Sequence, residues 1–98
     1  MHFFYKLLAP RPDYHMTMNE TEQATMLEHM NYWAALFQRG VVAVYGPVFD
    51  PAGVYGMAVL EISSAEDAEQ IKQNDPAVAS GICTAQLIPM EAGMIRKA

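Results

Sequence analysis

The stretch TMNETEQATMLEHMNYWAALFQRG, residues 17–40, predicts one long amphipathic helix around which the rest of the chain is arranged. Thr17, followed three residues later by Glu20, can form a capping box at its start. Asn19 and Glu22 offer a second capping box two residues further on, and both glutamates suit the positive end of the helix dipole. The stretch ends in glycine, a residue type that commonly follows a helix, so the helix is predicted to end there.

The histidine of this helix, His29, lies at the margin of the side that is predicted to face the core. At about 100° per residue, the residues that share the core-facing arc are Met26, Leu27, Met30, Trp33, Ala34 and Phe37. His29 falls about 40° outside this arc, next to Leu36 and Glu22, where a side chain can contact the core and still reach a cleft. An imidazole in that position suits a general base or acid, although a half-buried structural histidine fits the same pattern.

Segments rich in branched and aromatic residues predict strands before, between and after two helices. The predicted strands are residues 2–9, 41–48, 54–62 and 82–90, and the second helix spans residues 64–74. Prolines end the first strand, residues 10–16 form a loop, and an FDPAG turn joins the second strand to the third. The order β-α-β-β-α-β predicts a single α+β, ferredoxin-like domain over residues 1–98, with a four-stranded antiparallel sheet and both helices on one face.

The second and third strands are apolar on both faces, whereas a sheet with one solvated face alternates apolar and polar residues. In the third strand, VYGMAVLEI, both alternating sets of side chains are largely apolar. Two helices can cover only one face, so the other is predicted to pack against the sheet of a second copy. We therefore expect a homodimer whose two sheets lie face to face.

Charge and composition exclude several classes of function. A net charge of −5, with only six lysines and arginines, leaves no basic surface for nucleic acid or for an anionic membrane. The single cysteine, Cys83, can form neither an intramolecular disulfide nor a zinc cluster, which favours a reducing compartment. With no signal-peptide pattern and no long apolar run, the chain is expected in the cytoplasm. No phosphate-binding loop or metal-ligand cluster is visible, so neither a cofactor nor a metal is predicted.

Two aspartates that precede prolines are candidates to orient His29. Asp75 would end the second helix, where a carboxylate is electrostatically unfavourable. A contact with His29 is one interaction that would stabilise it there. Asp50 lies in the FDPAG turn and competes for the same role. Each aspartate also has an ordinary explanation as a turn residue, and the sequence alone does not choose between them.

Several further residues could line a substrate pocket beside His29. They are Tyr5, Arg11, Trp33, Tyr45, Gly46, Pro47 and Asp50. Trp33 is a helical neighbour of His29 and would form a pocket wall. Gly46 would let a ligand approach the backbone closely, and the guanidinium of Arg11 would suit an anionic substrate. Sheet packing, strand termination and an exposed loop arginine explain the same residues without a ligand.

A set of motifs spread over the whole chain resembles the YCII-related, or YciI-like, family. The matching features are His29 in a helix that runs into Gly40, Gly46-Pro47 at the end of the second strand, Gly53 and Gly56 at the third, and Asp75-Pro76 with Val78 and Gly81. The resemblance implies a dimeric α+β barrel built from ferredoxin-like subunits, with a site centred on a histidine and an aspartate. By matching position, it implies His29 for the histidine and Asp75 for the aspartate.

Two kinds of function are consistent with this sequence. The first is a small cofactor-independent enzyme in which His29 and Asp75 carry out lyase, isomerase or, as the resemblance implies, dehydrohalogenase-like proton transfer on a small cyclic or aromatic substrate. The second is a non-catalytic homodimeric module that binds a small metabolite or assists a catalytic partner. An enzyme needs an open pocket with the imidazole within reach, whereas a structural histidine is sealed and fully hydrogen-bonded.

Overall fold

The four strands of the chain form one antiparallel sheet in a computed structural model, which describes residues 1–96. In chain order, the elements are β1 (His2–Leu8), α1 (Tyr14–Thr17), α2 (Glu20–Gln38), β2 (Val42–Val48), β3 (Tyr55–Glu61), α3 (Ala65–Asn74), α4 (Pro76–Ala79) and β4 (Thr84–Met90). The strands lie in the order β2-β3-β1-β4, and each adjacent pair is antiparallel. This is the ferredoxin-like arrangement, so the predicted α+β fold is confirmed.

Helix α2 begins at the second of the two capping boxes. The Asn19 side chain accepts a hydrogen bond of 2.8 Å from the Glu22 backbone N–H, and the Glu22 carboxylate accepts one of 2.9 Å from the Asn19 N–H. Of the two starts that the sequence allowed, the one at Asn19 is confirmed and the one at Thr17 was wrong, because Thr17 ends the short helix α1 and Met18 after it is extended. At the other end, Gly40 follows the C-cap residue with a φ of 79°, a conformation that glycine adopts without strain.

The segment between β1 and α2, predicted as a loop over residues 10–16, contains α1 and is tied to α2 by Arg11. The guanidinium donates to both carboxylate oxygens of Glu22, at 2.9 and 3.0 Å. It also donates to the Thr17 hydroxyl at 2.8 Å and to the Thr17 carbonyl at 2.7 Å, and it lies 5.1 Å from the centre of the Tyr14 ring. These contacts, which we call the Arg11 clamp, hold α1 against the start of α2.

Replacing Arg11 by methionine should loosen α1 while leaving the sheet intact. Methionine retains an unbranched side chain but cannot donate to Glu22 or Thr17, so the amides of α1 should exchange hydrogen faster in the variant. Arg39→Met is the matched control, because Arg39 is exposed and lies outside the clamp. Hydrogen exchange read by mass spectrometry tests this, and equal protection of residues 14–17 in the two variants would contradict the clamp.

The same clamp should persist at low pH. The hydrogen bond from Arg11, followed by that from the Asn19 backbone, lowers the pKa of Glu22 from 4.5 to about 2. Because the folded-state pKa is the lower one, the contribution of the ionised carboxylate is complete above pH 4.5 and is lost as the pH falls through about 2. Protection of α1 relative to α2 should therefore change only in strongly acidic buffer.

The side of the sheet that faces the helices holds the core. Strand β1 alternates, with Phe3, Tyr5 and Leu7 buried on this side, and β3 contributes Ala58 and Leu60. The buried apolar residues are Phe3, Tyr5, Leu7, Tyr14, Trp33, Leu36, Val42, Ala58, Leu60, Ala68, Ala77 and Cys83. Ala85 and Leu87 of β4 pack against this cluster, so both longer helices and all four strands contribute to one shared apolar layer.

A β-bulge in β2 turns Tyr45 toward the helices. Val42 pairs with Leu60, but the register shifts before Val44, so that Tyr45 pairs with Ala58. Leu60 and Ala58 both belong to the helix-facing side, and their partners Val42 and Tyr45 therefore share that side although they are three residues apart. The bulge brings an aromatic ring to the space between the sheet and α2.

The predicted core-facing arc of α2 was right for Trp33 and Met26, which belong to or pack against the core, and wrong for its other members. Trp33 and Leu36 are buried, and Trp33 packs against the Tyr5 ring with the two ring centres 4.7 Å apart. The apolar residues of the predicted arc that are exposed include Leu27 (60%), Met30 (61%) and Phe37 (46%). Apolar residues occur all around this helix, so its periodicity does not select one face. The contacts of Trp33 determine instead which face is buried, and they place His29 between the helix and the sheet.

The opposite side of the sheet is apolar at its centre. Phe4 of β1 lies between Val59 of β3 and Ile88 of β4, and Val44 of β2 pairs with Val59 on the other side. Val44 is 50% exposed and Ile88 is 47% exposed. We call Phe4, Val44, Val59 and Ile88 the open-face patch.

The part of the chain that the structure describes contains neither a candidate membrane span nor a candidate metal cluster. None of its helices is both long and apolar enough to cross a membrane. No three of its histidine, cysteine, aspartate and glutamate side chains cluster so as to hold a metal ion.

Candidate active site

A cavity of about 350 Å³ lies between α2 and the helix-facing side of the sheet, with α1 forming part of its wall. Its aromatic lining residues are Tyr5, Tyr14, Trp33, Tyr45 and Tyr55. Four methionines and two histidines, His15 and His29, also line it. Within residues 1–96 the lining includes no aspartate, glutamate, lysine or arginine. The volume lies at the lower end of the range for small-molecule sites, and the apolar wall with a few polar groups is typical of them.

His29 stands in the cavity wall with one ring nitrogen already engaged. Its Nδ1 lies 2.7 Å from Oδ1 of Asp75, and its side chain is 17% exposed. Nε2 has no hydrogen-bond partner within the described chain. The imidazole is therefore held at one edge and can meet a ligand at the other.

Asp75 is wholly buried and its carboxylate is saturated with hydrogen bonds. Oδ2 accepts from the Tyr5 hydroxyl at 2.8 Å and from Trp33 Nε1 at 2.9 Å. Oδ1 accepts from the Ala77 backbone N–H at 3.0 Å, in addition to its contact with His29. Buried charge is tolerated only where such partners replace water, so strand β1, helix α2 and the residues after α3 are all joined at this one side chain.

The local sequence explains how an aspartate comes to stand at the end of α3. Asp75 is at once the C-cap of α3 and the N-cap of α4, and Pro76 occupies the first turn of α4, where proline is favoured. Its carboxylate accepts the Ala77 N–H, as N-cap side chains do. The short helix α4 was not predicted, since four residues are too few for a periodic pattern. It supplies a local donor that a helix C-terminus lacks.

Electrostatics keep this carboxylate ionised. Burial is the largest influence on the pKa of Asp75 and would by itself raise it, but the hydrogen bond and charge of His29, with the hydrogen bonds of Trp33 and Tyr5, outweigh burial and lower the pKa from 3.8. The Tyr5 hydroxyl has a raised pKa, mainly because it is buried and next because it lies beside the Asp75 charge, so it remains a donor. An ionised Asp75 can only accept, and the proton of a neutral His29 therefore sits on Nδ1, leaving Nε2 as an acceptor.

The structure separates the other sequence candidates into two groups. Tyr5, Trp33, Tyr45, Gly46 and Pro47 all line the cavity. The centres of the Trp33 and Tyr45 rings lie 6.4 Å apart. Asp50 and Arg11 are not among the lining residues: Asp50 accepts the Ala52 N–H at 2.9 Å in its exposed turn, and Arg11 is engaged in the Arg11 clamp.

Sequence reasoning missed three lining residues that α1 and its flank contribute. They are Tyr14, His15 and Met18. Tyr14 is 5% exposed, whereas His15 is exposed at the rim. The spacing of Tyr14 and Met18, four residues apart, is the signal of a single helical turn with one apolar side, and it could have found α1. Cys83 also lines the cavity, and burial, followed by the charge of Asp75, raises the pKa of its thiol to about 11.

Comparisons with known proteins add to this geometry. The sequence profile of the YCII-related domain family matches residues 3–91, while a comparison with curated protein sequences found no match. Among solved structures, the chain is similar to 5-chloro-2-hydroxyhydroquinone dehydrochlorinase from Burkholderia phenoliruptrix in complex with 2,5-dihydroxybenzoquinone. The TM-score is 0.70 at 17% sequence identity, and the alignment covers 95% of this chain and 96% of that one. That likeness supports the fold, and the family match over residues 3–91 shows that the chain belongs to the YCII-related domain family.

Proposed function

We propose that this chain is a small enzyme that moves a proton on a small cyclic or aromatic substrate, with His29 as the general base and acid. The observation that carries the proposal is the contact of 2.7 Å between His29 Nδ1 and the buried Asp75, at the wall of a cavity. A histidine held by a carboxylate at one nitrogen and open to a pocket at the other is a common arrangement for proton transfer. Asp75 acts as the positioning residue, since it touches the imidazole and not the cavity.

The geometry supports the following steps. Nε2 takes a proton from a carbon or hydroxyl of the bound ring, and the imidazolium that forms is stabilised by the Asp75 carboxylate. In an isomerisation the same nitrogen returns the proton to a different atom. In a dehydrohalogenation the electrons of the broken C–H bond form a new double bond, and halide leaves with the electrons of its own bond. The dehydrochlorination named for the structural neighbour is the second of these.

The same cavity supplies the substrate contacts in this proposal. Trp33 and Tyr45 line the same cavity as His29, with their ring centres 6.4 Å apart, and offer flat apolar surfaces to a ring. Gly46 and Pro47 of β2 complete the wall with little side-chain volume. No step requires a cofactor, because acid–base chemistry at one imidazole suffices for both reactions.

A ligand screen followed by a proton-transfer assay tests this function. Phenols, quinols and lactones, with 5-chloro-2-hydroxyhydroquinone among them, should include compounds that raise the melting temperature, because a ligand bound to the folded state stabilises it. The compounds that bind are then followed for release of chloride or for exchange of a ring proton in deuterium oxide. If compounds bind and none reacts, the result would favour the non-catalytic binding module.

We also infer that two copies pair through the open-face patch. The patch joins Phe4, Val44, Val59 and Ile88 into one apolar surface, and Val44 and Ile88 are about half exposed. Apolar side chains gathered on a sheet face are costly in water and are normally covered. A second copy can present the same patch, which gives a closed twofold interface.

A lysine placed in the open-face patch should yield a monomer. Ile88→Lys and Val44→Lys each place a charge in the proposed interface, where pairing would desolvate it. Leu27→Lys is the control, at an apolar residue of α2 that is at least as exposed. Light scattering on the eluting protein should give twice 10.9 kDa for the wild type and the control, and 10.9 kDa for the patch variants. A wild type that elutes as a monomer at micromolar concentration would refute the dimer.

The proposed surroundings follow from charge and cysteine content. A net charge of −5 disfavours nucleic acid and anionic membranes as partners. Cys83 is free and buried, which suits a reducing compartment and supports a cytoplasmic location.

A further inference from the structure

The lining of the cavity limits the charge of any molecule that binds beside His29. Within the described chain it includes no lysine or arginine, so no permanent cation faces a ligand. Arg11, the sequence candidate for binding an anion, has its guanidinium engaged by Glu22 and Thr17. Asp75 adds a buried negative charge behind the imidazole, and the net charge of −5 opposes an approaching anion.

One buried polar atom of a residue that lines this cavity lacks a partner. Tyr14 lines the cavity from α1, is 5% exposed, and its hydroxyl is buried without a hydrogen bond. Burial is the main reason that the pKa of this hydroxyl is raised, so it is a protonated donor at neutral pH. A buried hydroxyl without a partner is unfavourable, and a ligand oxygen next to it would remove that cost.

We propose that the cavity selects an uncharged ring that carries a hydroxyl or keto oxygen, discriminates against carboxylates, and contacts the ring oxygen through Tyr14. This rests on the proposed function only in placing the ligand in the same cavity. A cavity of about 150 Å³ is enough for benzene, so the volume of about 350 Å³ accommodates a substituted single ring or a compact fused pair. A carboxylate in the same place would be desolvated opposite aromatic and methionine side chains, with no lysine or arginine to replace its water.

Two ligands of nearly equal shape test the charge selectivity. 4-Hydroxyacetophenone is neutral at its acetyl group, whereas 4-hydroxybenzoate carries a carboxylate in its place at pH 7. Dissociation constants from titrations followed by nuclear magnetic resonance should differ by at least about tenfold in favour of the ketone. A desolvated charge without a partner costs more free energy than a tenfold change in the dissociation constant represents. Equal binding, or tighter binding of the benzoate, would overturn the proposal.

A tyrosine pair tests the role of Tyr14. Tyr14→Phe should weaken binding of p-cresol by about threefold to tenfold, the usual worth of one hydrogen bond, and leave binding of p-xylene unchanged. It should not lower the melting temperature, because the hydroxyl has no partner to lose. Tyr32→Phe is the control, since it removes the bond of 2.8 Å from Tyr32 to the Ile71 carbonyl and should cost stability without changing the preference for p-cresol over p-xylene. An unchanged preference in Tyr14→Phe would remove Tyr14 from the proposal.

The proposed ligand selectivity and the proposed function can be refuted independently. If 4-hydroxybenzoate binds as well as the ketone while a proton-transfer activity depends on His29, the proposed charge selectivity is wrong and the proposed enzymatic function is supported. If the ketone binds as expected and no substrate reacts, the proposed ligand selectivity is supported and the catalytic role of His29 is refuted.

Discussion

Replacing Asp75 by alanine is expected to lower the free energy of unfolding by about 3–5 kcal/mol, at the upper end for a single substitution. The side chain is fully buried, and its loss would leave the Tyr5 hydroxyl, Trp33 Nε1 and the Ala77 N–H without their acceptor. Each abandoned donor costs on the order of 1–3 kcal/mol where water cannot reach it. His29 would lose its carboxylate partner as well. Urea denaturation with an unchanged m-value measures the loss.

Asp50 provides a control that matches Asp75 in local structure. Both aspartates precede the sequence Pro-Ala, and both accept the backbone N–H two residues later, Ala52 at 2.9 Å and Ala77 at 3.0 Å. Asp50 is exposed, so Asp50→Ala removes only the local bond and should cost about 0.5–1 kcal/mol. A loss of the same size in the two alanine variants would show that Asp75 is no more than a turn residue.

The stability difference between wild type and Asp75→Asn should depend on pH in one direction. The folded-state pKa of Asp75 lies below its ordinary value of 3.8. The ionised carboxylate therefore stabilises the folded state fully above that value, and this contribution is lost as the pH falls through the lower folded-state pKa. The advantage of the wild type over the asparagine variant should be constant near neutral pH and shrink in acid. A difference that grows in acid would mean that the buried carboxyl is protonated.

The fold was open to prediction from sequence because its signals are local. Capping at Asn19 and Glu22, the glycine after α2 and the proline-bounded strands each depend on residues a few positions apart. The order of the elements then leaves few topologies. The predicted buried face of α2 was only partly right, because apolar residues lie all around this helix and the contacts of Trp33 decide which side is buried.

The candidate site was only partly open to the same reasoning. The Asp-Pro-Ala sequence occurs twice with the same local hydrogen bond, so nothing near either aspartate tells which one is buried. The distinction comes from Tyr5 and Trp33, which lie 70 and 42 residues away along the chain from Asp75. Tyr14 was not predicted to line the cavity, because α1 is a single turn and gives no periodic pattern.

Replacing His29 by glutamine should lower kcat by about 10²–10⁴, the usual contribution of a general acid or base. Glutamine is similar in size and can keep a hydrogen bond to Asp75, but it does not take up a proton near neutral pH. The affinity for a nonreactive ring ligand should change little, because Trp33 and Tyr45 still form the apolar wall. His15→Gln is the control, since His15 lines the same cavity but has no carboxylate to orient it within the described chain, and its kcat should fall by less than about tenfold.

Asp75→Asn distinguishes a catalytic pair from a structural contact. Asparagine keeps the volume and can still accept the Nδ1 proton of His29, but it cannot neutralise the imidazolium that forms during proton transfer. If the pair is catalytic, kcat should fall by about 10–100-fold, as it does when an orienting partner is lost, while KM changes little because Asp75 does not line the cavity. If the contact only supports the fold, the variant should be less stable and yet turn over substrate normally where it is still folded. A normal kcat in folded Asp75→Asn, together with a large loss in His29→Gln, would leave His29 acting without its aspartate.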